Sequence, residues 1–170
     1  MKHIIFIVIL TIASTISAQS IFEASRNGNL EKVKALYVLD KKAINASDSK
    51  GFTPLILSVY NNQPKVVAFL LEKKTNIDAK DASGNTALMG VCFKGYTNIA
   101  KTLIENGADV NQQNYNGATA LIYASTFGHT EIVEYLLANK ADKNLKDNRG
   151  NTALKHATMQ GNTEVITLLK

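Results

Sequence analysis

The chemically reactive residues of this chain are few and far apart. Cys92 is the only cysteine among 170 residues, so the chain can form neither an intramolecular disulfide nor a zinc site with several cysteine ligands. His129 and His156 do not form a His-x-x-x-His pair, and the sequence contains no glycine-rich phosphate loop and no Ser/His/Asp order typical of a hydrolase. We therefore expect a non-enzymatic protein without catalytic residues, a metal site or a cofactor.

The charge of the chain limits the class of partner. Nineteen Lys and Arg residues against fourteen Asp and Glu residues give a formal charge of +5. A dedicated nucleic-acid-binding protein usually has a more basic and more clustered surface. We therefore do not expect nucleic acid as a partner.

Glycine and threonine recur at a fixed period after the N-terminal segment. The repeated pattern is a glycine, a threonine two residues later and a leucine two residues after that. The glycines are Gly51, Gly84, Gly117 and Gly150, each 33 residues apart, and the threonines are Thr53, Thr86, Thr119 and Thr152. A repeat of this length predicts an array of stacked units, each consisting of a turn and two helices.

The residues at the turns and helix ends suit these positions. An Asp or Asn lies three residues before each glycine and suits hydrogen bonding to the N–H groups of the turn: Asp48, Asp81, Asn114 and Asp147. The threonine predicts an N-cap of the first helix. Left-handed helix ends are expected at Asn62, Gly95, Gly128, Gly161, Lys74 and Lys140. The second helices carry apolar residues on almost every face and are expected to lie sandwiched between their neighbours.

The repeated segments resemble ankyrin repeats. The resemblance is carried by Gly51-Phe52-Thr53-Pro54-Leu55, Gly128-His129, Leu136-Leu137 and Gly107-Ala108-Asp109-Val110-Asn111. It implies an all-α ankyrin solenoid of stacked helix-turn-helix units with β-hairpin or turn tips, and it assigns His129 a structural role in a Gly-His turn. The expected domain spans residues 19–170. It divides into a degenerate N-terminal unit (19–47), full repeats (48–80, 81–113 and 114–146) and a truncated last repeat (147–170).

The resemblance also implies where a partner binds. Partners of ankyrin repeats usually dock on the concave face made by the turn tips and the exposed side of the first helices. Carried over by position, the expected binding residues are Phe52, Tyr60, Phe93, Lys94, Tyr115, Phe127, Arg149 and Met159. Tyr60, Phe93 and Phe127 recur at nearly the same position and are expected to form an apolar stripe for a partner. The alternative is that these rings fold back onto the next helix as ordinary packing.

The N-terminal segment has the layout of a secretory signal peptide. Lys2 precedes an apolar run of about ten residues, which is followed by small and polar residues ending at Ala18. We expect residues 1–18 to be removed and the mature protein to be periplasmic or secreted. A membrane-spanning helix needs about 20 apolar residues, so a retained membrane anchor is the less favoured alternative. Cys92 is expected to be an inert thiol in the core.

The amino-acid sequences of several repeats indicate a more specific function than the ankyrin resemblance alone. Thr86-Ala87-Leu88-Met89-Gly90 and Phe93-Lys94-Gly95-Tyr96 resemble small exported bacterial ankyrin proteins often found beside catalases. This resemblance implies support of a haem enzyme or of its haem supply, and with it a role in oxidative stress. We expect a monomeric protein-binding module whose partner is a periplasmic catalase or another periplasmic protein. One alternative is a haem-handling or redox accessory protein that uses His156, Tyr123 or Cys92. Another is an immunity protein that blocks a periplasmic toxin.

Overall fold

The computed structural model describes residues 21–170, and every regular element in this part of the chain is a helix. The expected signal peptide, residues 1–18, lies outside the described residues. None of the helices within residues 21–170 has the length and apolar character that crossing a membrane would require. The chain divides into two compact units, with the boundary between Thr75 and Asn76.

The first unit contains a leading helix pair and one regular repeat. Its described elements are helical residues 21–26 (α1), α2 (Leu30–Leu39), the 3-10 helix η1 (Lys41–Asn45), α3 (Pro54–Tyr60) and α4 (Pro64–Glu72). The side chain of Asn29 caps α2 by accepting a hydrogen bond from the backbone N–H of Lys32 at 3.0 Å. Helix α2 packs against α4, and α3 packs against α4. The apolar residues of these helices thereby form the core of the unit.

The second unit contains three helix pairs. These are α5 (Ala87–Lys94) with α6 (Thr97–Glu105), α7 (Ala120–Thr126) with α8 (Thr130–Ala138), and α9 (Ala153–Gln160) with α10 (Thr163–Leu169). The first helices pack in the order α5, α7, α9, and the second helices pack in the order α6, α8, α10. This stacking confirms the predicted all-α repeat architecture. The tips are turns, and no residue within 21–170 lies in a β-strand.

The predicted turn and cap residues have the expected hydrogen bonds. The hydroxyl of Thr119 accepts the backbone N–H of Ile122 at 3.2 Å, and the other three threonines cap their helices in the same way. Such a cap contributes about 1 kcal/mol. Oδ1 of Asn114 accepts two N–H groups of its own turn, each at 2.9 Å. These local bonds fix the tip of each repeat relative to its first helix.

The predicted left-handed positions are also present. The glycines at the ends of the first helices have positive φ, and Asn62 takes the same role with φ 52°. Lys74 and Lys140 follow second helices and have φ 58° and 68°. A left-handed residue with a side chain costs roughly 1–2 kcal/mol relative to the right-handed form. The two lysines therefore hold a strained conformation that glycine would adopt freely.

The second helices lie between neighbouring second helices, as predicted, but only part of each is buried and not almost every face. In α8 only Ile132, Val133 and Leu136 are buried, whereas α7 buries all but Tyr123 and Thr126. The first helix is flanked by the neighbouring first helices and covered by its own second helix. The second helix instead exposes its outer side and places charged residues such as Glu131 there.

Candidate functional site

An edge-to-face aromatic pair lies on the first helices of the second unit. The ring centroids of Phe93, in α5, and Phe127, the C-cap residue of α7, are 4.8 Å apart with an interplanar angle of 82°. Tyr123 contacts Phe93 edge-on at 6.3 Å, and the ring of His129 stacks on Phe127 at 6.4 Å. We call these four residues the aromatic cluster. Phe93 and Phe127 lie nine and ten residues after Gly84 and Gly117, at nearly the same place in adjacent repeats, and the packing of α5 against α7 brings their rings together.

The phenylalanines of the aromatic cluster are exposed to solvent to an extent unusual for their size. Phe93 is 41% exposed and Phe127 is 47% exposed. Two further predicted binding residues are still more open, Tyr115 at a turn tip with 66% and Met159 in α9 with 58%. Within residues 21–170 the other large apolar side chains that are exposed are Val38 and Leu39, both in α2. Phe93 therefore packs onto residues of the next repeat, Phe127 and Tyr123, while part of Phe93 and of Phe127 stays in solvent.

Phe52 and Tyr60 belong to the first unit and are less open. Their ring centroids are 6.1 Å apart and the rings are tilted at 59°. Both side chains are partly buried. The continuation of the apolar stripe from Phe93 to Tyr60 stays a prediction.

A shallow groove adjoins the aromatic cluster. Its volume is about 370 Å³, and its lining includes Tyr123 and Phe127 from the region of α7, Arg149 and Asn148 from a turn, and His156 from α9. We call it the Phe127 groove. It combines an aromatic wall with a guanidinium, an amide and an imidazole, and it can therefore accept a side chain that is partly apolar and partly polar.

His156 and Asp147 form a pair at one edge of the Phe127 groove. Nε2 of His156 lies 2.8 Å from Oδ2 of Asp147, and both side chains are largely buried. Oδ1 of Asp147 also accepts the backbone N–H groups of Arg149 and Asn151, each at 2.9 Å. Burial of this carboxyl raises its pKa. The N–H of Asn151, the His156 side chain and the N–H of Arg149 outweigh burial and hold the pKa of Asp147 below its usual value.

Sequence reasoning missed the pairing of Asp147 with His156. The preceding repeat contains the same arrangement, since Nδ2 of Asn114 donates to the hydroxyl of Tyr123 at 3.2 Å. In both repeats the first-helix residue lies nine positions after the Asp or Asn of the turn. Polar residues at this spacing, in place of Gly90 or Leu57 of earlier repeats, were the available signal.

Lys94 and Arg149, the two basic residues predicted to bind a partner, lie beside exposed apolar residues. The ammonium of Lys94 is 5.7 Å from the centroid of the Phe93 ring. Arg149 is exposed and lines the Phe127 groove. A cation near an aromatic face is attracted by the ring and gains further when it is desolvated by a partner.

Cys92 and His129, two of the residues considered for chemistry, have packing roles in the structure. Cys92 is completely buried in α5, and burial raises the pKa of its thiol, which keeps it protonated and unreactive. This confirms the predicted core thiol. The ring of His129 lies where a Cβ atom on Gly95 would be, 2.5 Å from its Cε1, so the imidazole fills space in the turn region. No group of three or more metal-ligating side chains was found among residues 21–170.

Stacked helix pairs at a 33-residue period, with an exposed aromatic surface on the first helices, define the class of repeat-type binding proteins. A family model described as "Ankyrin repeats (3 copies)" matches residues 21–114, and one described as "Ankyrin repeats (many copies)" matches residues 103–157. The chain therefore belongs to the ankyrin-repeat family. A comparison with curated proteins found no match. Ankyrin repeats generally mediate protein–protein interaction and are typically not enzymes.

Proposed function

We propose that this protein is an exported, non-catalytic binding module that holds a protein partner on the turns and first helices of its second unit. Phe93 and Phe127 are the anchors of this surface, with Tyr115, Met159, Lys94 and Arg149 around them. Phe52 and Tyr60 extend the same function to the first unit. The module acts as a monomer and has no membrane anchor once residues 1–18 are removed.

One observation carries the proposal. First helices bury nearly all of their residues, yet Phe93 near the end of α5 is 41% exposed and Phe127 at the C-cap of α7 is 47% exposed. Large rigid rings in contact with each other, exposed next to a groove, have the composition of interface hot spots. Polar side chains at these positions would avoid the unfavourable hydration of the rings.

A periplasmic catalase is the partner we propose first, because of the resemblance to exported ankyrin proteins found beside catalases. An immunity protein against a periplasmic toxin would use the same kind of surface with a different partner. The haem-handling alternative finds less support in the side-chain contacts. Cys92 is completely buried, and Nε2 of His156 is already paired with Asp147 at 2.8 Å.

The experiment compares the chain with the double variant Phe93→Ala/Phe127→Ala. Each chain is immobilised and exposed to the periplasmic extract of its native cell, and purified catalase is tested separately. We expect the wild-type chain to retain a partner that the double variant loses. Failure of both chains to retain any protein, or equal retention by both, contradicts the proposal.

Phe69→Ala is the matched control. Phe69 in α4 also forms an edge-to-face pair, with Tyr37 at a centroid distance of 5.8 Å, and it also lies near a lysine, with Nζ of Lys73 5.4 Å from its ring. It is on a second helix, so its loss should reduce stability without affecting partner retention. Far-UV circular dichroism of every variant verifies that the helices remain folded.

A further inference from the structure

We propose that the partner docks on the surface around Phe93 and Phe127 with an acidic peptide segment, in which carboxylates flank a large apolar side chain. This inference rests on the proposed function and adds the chemistry of the partner. It follows from the distribution of charge within the second unit.

Basic and acidic residues are equally frequent in residues 76–170, nine of each, but they lie on different elements. The turns, the residue directly before each turn and the first helices together carry five basic residues against two acidic ones. The basic residues are Lys80, Lys94, Lys146, Arg149 and Lys155, and the acidic ones are Asp81 and Asp147. The other seven acidic residues lie on second helices and the loops that follow them. The elements that carry the exposed aromatic residues are therefore positively charged, although the unit as a whole is neutral.

The two acidic residues of the turns are already used inside the fold. Oδ1 of Asp81 accepts the N–H groups of Ser83 and Asn85, each at 2.8 Å, and the residue is buried. Asp147 has the same role in its turn and also pairs with His156. Neither carboxylate is placed to neutralise the exposed cations.

Lys94 lies beside Phe93, and Arg149 lines the Phe127 groove. Within residues 21–170, neither Lys94 nor Arg149 forms an ion pair. On the second helices, by contrast, Nζ of Lys101 lies 2.6 Å from Oε1 of Glu131. A partner that covers Phe93 and Phe127 desolvates Lys94 and Arg149, and an unpaired buried charge is costly. A carboxylate offsets that cost, and the guanidinium of Arg149 can bind it through two parallel hydrogen bonds.

Peptide display on the full chain tests the proposal. A random peptide library is selected on the wild-type chain, on Phe127→Ala and on the charge-reversal variant Lys94→Glu/Arg149→Glu. We expect the wild-type chain to enrich peptides that combine Asp or Glu with Phe, Leu or another large apolar residue, and Phe127→Ala to lose this enrichment. The charge-reversal variant should lose the acidic preference while still selecting apolar residues.

A matched control and a direct titration make the test quantitative. Lys41→Glu/Lys65→Glu changes the net charge by the same amount at exposed positions of the first unit and should select the same peptides as the wild-type chain. An enriched peptide, labelled with fluorescein, is compared with a version in which each Asp and Glu is replaced by Asn and Gln. We expect about tenfold weaker binding of the amide version to the wild-type chain, because charge-assisted hydrogen bonds are roughly twice as strong as neutral ones. Binding of the acidic version should also weaken at high salt.

The outcomes separate this inference from the proposed function. Peptides that depend on Phe127 but show no acidic excess overturn the acidic partner and leave the binding surface intact. No enrichment that depends on Phe127 contradicts both proposals. Binding of single-stranded oligothymidylate in place of peptides would assign the positive charges to nucleic acid and would also overturn the inference.

Discussion

Asp147 stabilises the turn that contains Arg149. Replacing Asp147 tests how much its hydrogen bonds contribute to the free energy of unfolding. Asp147→Ala removes two backbone hydrogen bonds at 2.9 Å and the contact with His156 at 2.8 Å. At about 1 kcal/mol for each neutral bond and somewhat more for a charged one, the loss is about 3 kcal/mol in the free energy of unfolding. Asp147→Asn keeps Oδ1 for the two backbone N–H groups but replaces the charged Oδ2 that faces His156 with an NH2 group, so it should cost about 1 kcal/mol. Asn114 performs this role in the preceding repeat.

The same pair of variants gives a pH dependence with a definite sign. The folded state lowers the pKa of Asp147, so the carboxylate contributes stability above its unfolded pKa of about 3.9. This contribution is lost as the pH falls below that value and through the folded pKa. Asp147→Asn should therefore lose less stability than the wild-type chain between pH 5 and the acid transition.

Urea unfolding followed by far-UV circular dichroism measures these differences, and hydrogen exchange of the Arg149 and Asn151 amides reports the turn directly. Glu134→Gln is the control, since it makes the same chemical change on an exposed residue of α8. Equal losses for Asp147→Ala and Asp147→Asn would refute the reasoning. So would an acid dependence that Asp147→Asn leaves unchanged.

Three further predictions concern single positions. Gly117→Ala should be more destabilising than Gly150→Ala in urea unfolding. Both glycines have positive φ, but only a Cβ atom at Gly117 would meet a neighbour, 2.7 Å from Oδ1 of Asn148. Equal losses of stability would show that this close approach is unimportant. Lys140→Gly should raise the free energy of unfolding by up to about 1 kcal/mol through relief of the left-handed conformation, and a decrease would contradict the assigned strain. Cys92 should react with a thiol reagent only when the chain unfolds, so rapid reaction of the folded chain would contradict its burial.

Features that depend on local chemistry could be predicted from the sequence. The cap of Thr119, the turn bonds of Asn114 and the left-handed conformation of Lys140 each depend on a few neighbouring residues and on the repeat period. The partial exposure of Phe93 and Phe127 could be expected, because the repeat places the two residues at nearly the same position, at the ends of adjacent first helices.

Features that depend on tertiary packing could not be predicted so well. An apolar run such as Ile132–Leu137 does not reveal which side a neighbour covers, so the sequence did not show that the second helices leave their outer side exposed. The pairing of Asp147 with His156 joins residues nine positions apart, and the same spacing of Asn114 and Tyr123 was the signal that the sequence offered for it.

The claim that the surface around Phe93 and Phe127 binds the partner is tested most directly by the affinity of the partner for single variants. Isothermal titration compares the wild-type chain, Phe127→Ala and the control Phe69→Ala, each verified as folded. A hot-spot residue costs about 2 kcal/mol or more on truncation, so we predict at least about 30-fold weaker binding for Phe127→Ala and unchanged binding for Phe69→Ala. Unchanged affinity for Phe127→Ala would contradict the claim that this surface holds the partner.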